Sequence, residues 1–270
     1  MFEMLQYEFM QNALIAGLLT SLICGIIGSL VVVNRLVFLS GGIAHSAYGG
    51  IGLSFYFGWP WLPGAIGFAL FSSLLMAAIS LHSKAKADTI IGVMWAMGMA
   101  SGILLLDLTP GYNVDLMSYL FGSILSVPRF ELWVLGAAAL IILVGVGWLF
   151  QDLVLMSYDE EFARTRGVPV RALYFLLVAS VAVSVVLVVQ VVGLILIIAL
   201  LTIPPAIAGK YSKSLAGMMV ISVLLGSFFI VCGIWLSVTF DLTSGAAIIF
   251  FAGMVFFLQL GIEYLRSIFR

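Results

Sequence analysis

The chain has 270 residues, of which 64% are hydrophobic and 9% are charged, and its formal net charge is −1. A water-soluble domain carries about 25% charged residues, so this composition excludes a soluble globular protein. The length accommodates one domain over residues 1–270 and excludes an additional soluble catalytic module.

The apolar runs are long and nearly unbroken, which predicts membrane-crossing helices. In lipid, backbone polar groups must pair within the chain, which leaves helices and closed barrels. Barrel strands alternate apolar and polar residues over about ten positions, a pattern that these runs lack. We therefore predict an all-α integral membrane protein, a polytopic helical bundle. Spans of about 20 residues are predicted at nine places, with eight or ten also compatible: 11–33, 41–57, 63–82, 89–107, 129–150, 171–190, 192–209, 214–239 and 244–265.

Basic residues are concentrated in alternate connections between the predicted spans. Lys and Arg near span ends favour the cytoplasmic side. With nine spans, this pattern predicts an N-terminus outside and a C-terminus in the cytoplasm, and Arg129 is the one exception. The cytoplasmic set comprises Arg35, Lys84, Lys86, Arg164, Arg166, Arg171, Lys210, Lys213, Arg266 and Arg270.

Two connections are too long to be simple turns. The outer one, about 108–128, contains an apolar stretch that is too short to cross, which predicts a re-entrant or interfacial half-helix. The inner one, about 151–170, predicts a short charged helix that Ser157 or Asp159 caps and that Gly167 ends. Such a helix is either a docking element or a solvated connector.

His45 is the most informative ionisable residue because charged and titratable groups inside a bilayer are costly. It shares one helical face with Gly41, Gly49 and Gly52. The glycines leave space for a neighbouring helix or for a permeating ion, and imidazole is a good ligand for transition metals. In the alternative, the glycines serve close packing and His45 hydrogen-bonds a carbonyl group across the interface.

The segment Thr202-Ile203-Pro204-Pro205 interrupts the seventh predicted span. Proline lacks a backbone donor, so the carbonyl groups of Leu200 and Leu201 lose their helical partners. The segment predicts either a broken helix that acts as a gate or a structural kink.

Motifs for catalysis are absent from the sequence. Gly209-Lys210-Tyr211 lacks the remaining residues of a phosphate-binding loop, so any ATPase has to be a separate chain. Intramembrane proteolysis would require a Ser/His pair or two aspartates within the membrane, but His82 lies at a water-facing end and Asp107 and Asp241 lie at outer ends of the predicted spans. We therefore expect this chain not to be an enzyme.

Five segments in order together resemble the ABC-3 family, the membrane permeases of bacterial and archaeal ABC importers for zinc, manganese and iron. The resemblance covers nearly the whole chain. The segments are Phe38 to Gly50, Lys86 to Gly92, Tyr119 to Leu125, Glu160 to Val168 and Ala199 to Ala208.

The resemblance implies a permease homodimer with a central translocation path in a prokaryotic plasma membrane. It implies two cytoplasmic ATP-binding subunits, an extracytoplasmic metal-binding protein and transport by alternating access. The metal is bound transiently as cargo, and neither a permanent cofactor nor nucleic acid is expected. The implied site residues form three groups: the path with His45, Ser40, Gly41 and Gly49; the coupling helix with Asp159, Glu160, Glu161, Ala163, Arg164 and Gly167; and the gate with Thr202, Pro204 and Pro205.

Gly41 departs from the family pattern, in which an Asp commonly lies four residues before the histidine. His45 would then act with water, with Ser40 or with His45 of the partner subunit. Alternatively, the cargo is a metal chelate such as an iron siderophore or a cobalamin-like molecule. Two alternative hypotheses belong to other functional classes. One is a stand-alone secondary transporter or channel, and the other is an intramembrane enzyme.

Overall fold

The computed structural model describes residues 6–82, 87–110 and 122–268. Within these ranges all regular structure is helical, with eleven α-helices and a short 3-10 helix at Ile124–Ser126. The α-helices are α1 (Glu8–Val33), α2 (Val37–Phe57), α3 (Trp61–His82), α4 (Ala87–Asp107), α5 (Arg129–Trp148), α6 (Phe150–Tyr158), α7 (Glu160–Thr165), α8 (Val170–Val192), α9 (Leu194–Tyr211), α10 (Leu215–Phe240) and α11 (Ser244–Ile268).

Nine of these helices match the nine predicted spans in order. Eight are long and apolar enough to cross a membrane. The ninth, α2, has 21 residues but carries five glycines, three serines and His45, which lower its hydropathy. Most of α2 is buried among other helices. The predicted all-α membrane fold is confirmed.

Contacts between distant residues show that successive long helices run in opposite directions. At one end of the bundle, called the Glu8 end, Glu8 forms an ion pair with Arg129 at 2.7 Å. At the opposite end, called the Glu263 end, Lys210 pairs with Glu263 at 2.5 Å. Asn34 donates a hydrogen bond to the Ser157 hydroxyl at 2.9 Å, which brings α6 to the Glu263 end.

The helices α1, α2, α8 and α9 form the most buried part of the bundle, whereas α4 and α5 lie at its outside. Buried hydroxyl groups largely bond to carbonyl groups of their own helices. Ser29 in α1 and Ser222 in α10 do so, and their hydroxyl groups also meet across the interface at 3.2 Å. The bundle interior therefore offers few free polar groups.

The two long connections differ in part from the predictions. In the inner connection, residues 150–158 form a helix of their own, α6, which begins directly after Leu149 at the end of α5. The predicted half-helix of the outer connection lies largely outside the described residues. Its described end contains the 3-10 helix, where Ile124 is buried close to Gly17 of α1.

Glycines bring α2 and α4 into very close contact. A Cβ atom on Gly102 would clash with the carbonyl group of Tyr48, and one on Gly52 would clash with the backbone of Gly102. Small residues allow such close approach between membrane helices, where packing replaces the hydrophobic effect as the driving force. This contact holds α2 against α4 along most of their length.

We expect Gly102→Ala to destabilise the protein because the new methyl group meets backbone atoms that cannot rotate away. Overpacking of this kind costs about 1–3 kcal/mol. Thermal unfolding in detergent, followed by intrinsic fluorescence, should give a lower midpoint temperature than the wild type. Gly92→Ala in the same helix is the control, because no atom lies within 4 Å of its added Cβ. Equal midpoints for the two variants would contradict this account of α2–α4 packing.

Candidate translocation path and coupling helix

His45 lies near the middle of α2 and is half-buried. Its ring stacks on the indole of Trp95 in α4, with 4.1 Å between ring centroids and 20° between ring planes. The Nδ1 atom is buried and has no hydrogen-bond partner among the described residues. The predicted hydrogen bond to a carbonyl group across the interface is therefore not formed by Nδ1.

Ser40 and Gly41 precede His45 in the same helix. The Ser40 hydroxyl donates to the carbonyl oxygen of Val37 at 2.8 Å, so its proton is used within α2. A Cβ on Gly41 would have only one neighbour within 4 Å, the Cζ3 atom of Trp95 at 4.0 Å. The structure thus leaves space beside Gly41 and places an indole at its edge.

Gly49 lies in a closed helix contact, where the sequence predicted a path-lining glycine. A Cβ at this position would come within 2.9 Å of the carbonyl oxygen of Gly98 and of the ring of Phe68. Gly49 therefore allows α3 and α4 to approach α2 and does not widen an open path. The packing alternative describes this glycine correctly.

The predicted charged helix is present as α7. The Asp159 carboxylate caps it by accepting a hydrogen bond from the amide of Phe162 at 2.9 Å. Arg164 and Glu160 form an ion pair one turn apart at 2.5 Å. Gly167, at φ +80°, follows the helix end. These features confirm the predicted cap and bounds of the helix.

One face of α7 is anchored and the other is exposed. Ala163 is fully buried, and its carbonyl oxygen accepts a hydrogen bond from the amide of Val168 at 3.0 Å. The side chains of Glu160, Glu161 and Arg164 are exposed. The arrangement presents a short charged helix at the Glu263 end of the bundle.

Comparisons with known proteins decide the family. The model of the ABC 3 transport family matches residues 6–263. The chain belongs to the ABC 3 transport family. This result confirms the resemblance seen in the sequence.

Individual members of the ABC 3 transport family align over nearly the full chain. An uncharacterized membrane protein of Synechocystis sp., slr2045, is 50% identical over 96% of this chain and 92% of its own length. A manganese transport system membrane protein of Halalkalibacterium halodurans, MntC, is 30% identical over 94% of this chain and 87% of its own length. The structure of PsaBC from Streptococcus pneumoniae in complex with Fab superposes with a TM-score of 0.86 at 30% identity, covering 95% of this chain and 93% of the other.

In this member of the ABC 3 transport family, the proline segment does not break its helix. The helix α9 runs continuously from Leu194 to Tyr211 with both prolines inside it. The carbonyl oxygen of Leu201, which lacks an amide partner because Pro205 has no N–H, lies against Gly28 of α1. The Thr202 hydroxyl donates to the carbonyl oxygen of Ile198 at 2.8 Å. The unpaired carbonyl group of Leu201 is thus covered by α1. The prediction of a broken helix is corrected, because α9 is continuous.

Metal-ligating side chains lie apart from one another in the part of the chain that the structure describes. Among the described residues, no group of three or more His, Cys, Asp and Glu side chains lies close enough to hold a metal ion. Cys24 and Cys232 are free thiols. His45 is thus not part of such a group among the described residues.

Trp95 is the site residue that the sequence reasoning missed. Tryptophan is enriched at membrane interfaces, yet Trp95 lies in the interior of α4, which spans Ala87–Asp107. A tryptophan deep within a predicted span was the available signal. The pairing with His45 could not be predicted because it depends on the register between α2 and α4.

We expect the Asp159 cap to control the local stability of α7. Asp159→Ala removes the acceptor for the Phe162 amide, and loss of such a cap costs about 0.5–2 kcal/mol. Amide hydrogen exchange across residues 160–166 should therefore become faster. Asp159→Asn keeps an acceptor oxygen and should exchange like the wild type. Unchanged exchange in Asp159→Ala would contradict the capping role.

Proposed function

We propose that this chain is the membrane-spanning permease subunit of an ATP-binding cassette importer for a divalent transition metal ion. The observation that carries the proposal is His45, an imidazole near the middle of a helix in a membrane-spanning bundle, because buried ionisable groups in membranes mark transport paths. Membership of the ABC 3 transport family and the manganese transport relative support it. Manganese is therefore the first cargo to test, followed by zinc and iron.

A second copy of the chain would complete the cargo site. One imidazole supplies a single donor atom, whereas transition metals take about four to six ligands. The Ser40 hydroxyl bonds to its own helix, so water and His45 of the partner subunit are the better candidates. The open space beside Gly41, one turn before His45, supports a path between two copies.

Two copies of a cytoplasmic ATP-binding subunit would dock on the homodimer, one on α7 of each chain. The helix is short, capped and anchored through the buried Ala163, so it can transmit force as a unit. Its exposed Glu160, Glu161 and Arg164 offer charges for a specific partner. ATP hydrolysis would occur in that partner, and this chain would supply the path.

The helix α5, which leads through α6 to the charged helix α7, has room to move. Two apolar crevices of about 190 Å³ and 330 Å³ border the second half of α5, and Val146 lines both. The helix α5 joins α6 at Leu149 without an intervening loop. A shift of α6 and α7 could therefore move this half of α5, which supports transport by alternating access.

The distribution of basic residues supports a cytoplasmic Glu263 end. Basic side chains near the ends of spans favour the cytoplasm, and most described Lys and Arg residues lie toward this end. The exception, Arg129, is paired with Glu8. This orientation gives a cytoplasmic C-terminus in a prokaryotic plasma membrane and turns the Glu8 end toward an extracytoplasmic metal-binding protein.

We expect His45→Ala to lower metal uptake by about tenfold or more, because even residues that only support a metal ligand contribute 10- to 100-fold to affinity, and His45 is the proposed ligand itself. Uptake of manganese should be measured in proteoliposomes that contain the permease, its ATP-binding subunit and its metal-binding protein. His82→Ala is the matched control, since His82 is exposed at the end of α3. Equal uptake by the two variants would remove His45 from the path, and uptake that requires a chelator would favour a chelate as cargo.

We expect Glu161→Arg to weaken the complex with the ATP-binding subunit by about tenfold or more, because a charge mismatch at an interface costs several kcal/mol. Affinity should be measured by titration of the purified ATP-binding subunit onto the permease in nanodiscs. Asp107→Arg reverses an exposed charge at the end of α4, at the Glu8 end, and should bind normally. Normal binding by both variants would refute docking at α7.

A further inference from the structure

The indole of Trp95 covers one side of the site around His45. Its ring lies 4.1 Å from the His45 ring, centroid to centroid, and its Cζ3 atom borders the space beside Gly41. The ring of Phe38 lies 6.1 Å from that of Trp95 at an angle of 49°. Trp95 therefore separates one face of the imidazole from its surroundings.

The backbones on both sides of this stack are held in place. Gly42 packs on Ile91 before the stack, and Gly49 packs on the carbonyl group of Gly98 after it. Added atoms at these glycines would clash, so α4 cannot slide along α2 without losing close contacts. The stack of Trp95 on His45 therefore lies between two contacts that fix the register of α2 and α4.

Stacking also sets the plane of the imidazole. Stacked aromatic rings prefer near-parallel planes, and the 20° angle here meets that preference. Metal ions approach imidazole along the ring plane, at a nitrogen lone pair, so a stack on the face leaves the ring edges available. The Nδ1 atom is buried without a partner among the described residues, which means that no hydrogen bond from this atom orients the ring.

We infer that Trp95 is a positioning residue for His45: its indole covers one face of the imidazole and fixes the plane in which the ring nitrogens meet water and cargo. The inference rests on the proposed function for its role in transport, but the cover itself is a property of the single chain. Stacking on an indole replaces the hydrogen bond that usually fixes a ligand histidine.

Chemical labelling of His45 tests the cover without requiring transport. Diethyl pyrocarbonate acylates unprotonated imidazole nitrogens, and His82 is the chain's one other histidine, so a His82→Gln background leaves His45 as the single reactive histidine. The rate is measured by mass spectrometry of the peptide that contains His45, with the permease in nanodiscs. We expect Trp95→Ala to raise the rate roughly 2- to 10-fold, the range that loss of an aromatic stack implies.

Three further variants make the result specific. Trp95→Phe retains a ring that can stack and should react nearly as slowly as the parent. Trp133→Ala removes an exposed tryptophan from α5, outside this site, and should leave the rate unchanged. If Trp95→Ala does not purify as a folded protein, Trp95→Leu, which keeps apolar volume without a ring, takes its place. An unchanged rate in the ringless variant, or the same increase in Trp95→Phe, would overturn the inference.

Repeating the labelling in the presence of manganese(II) chloride distinguishes a failure of this inference from a failure of the proposed function. If His45 binds the cargo, manganese should slow the labelling of His45 in the parent protein. If manganese, zinc and iron(II) all fail to slow the labelling while Trp95→Ala is labelled faster, His45 is refuted as a ligand and the positioning role of Trp95 is supported. If a metal slows the labelling but Trp95→Ala is labelled at the parent rate, His45 is supported as a ligand and the positioning role of Trp95 is refuted.

Discussion

The close contact between α2 and α4 is the constraint on which the candidate site depends. Glycines on both helices remove the side chains that would hold the backbones apart, as at Gly52 and Gly102. In lipid, helices associate through such packing because apolar side chains gain little by leaving the acyl chains. Between these glycine contacts, His45 and Trp95 face each other at stacking distance. The site is thus a consequence of how two helices pack.

Free polar groups are scarce in the bundle interior, which is why His45 is the main candidate for cargo binding. Many serine and threonine hydroxyl groups in the bundle bond to carbonyl groups about one turn earlier, as Ser40 and Thr202 do. The free carbonyl group of Leu201 is covered by Gly28. A buried polar atom without a partner is costly, and the Nδ1 atom of His45 is one such atom. Thr20 Oγ1, Ser21 Oγ and Gln259 Oε1 share this property, but His45 is the one ionisable side chain among the four.

Packed contacts connect the charged helix α7 with the interior of the bundle. The adjoining helix α6 accepts a hydrogen bond at Ser157 from Asn34, at the end of α1. The helix α1 in turn packs on α9 through Gly28, Leu201 and Pro205. The crevices beside α5 leave one side of this assembly loosely packed.

The sequence by itself determined the membrane-spanning helices, their approximate bounds and the short charged helix, because these features depend on local composition and on the caps at Asp159 and Gly167. It also carried the family resemblance through motifs such as Phe38 to Gly50. It could not determine that Gly49 faces a helix while Gly41 has space beside it, since both glycines lie on the side of α2 that carries His45. Only the tertiary structure decided that difference, the continuity of α9 through Pro204 and Pro205, and the stack of Trp95 on His45. Each of these depends on which helix lies alongside and in what register, and residues distant in the chain set that register.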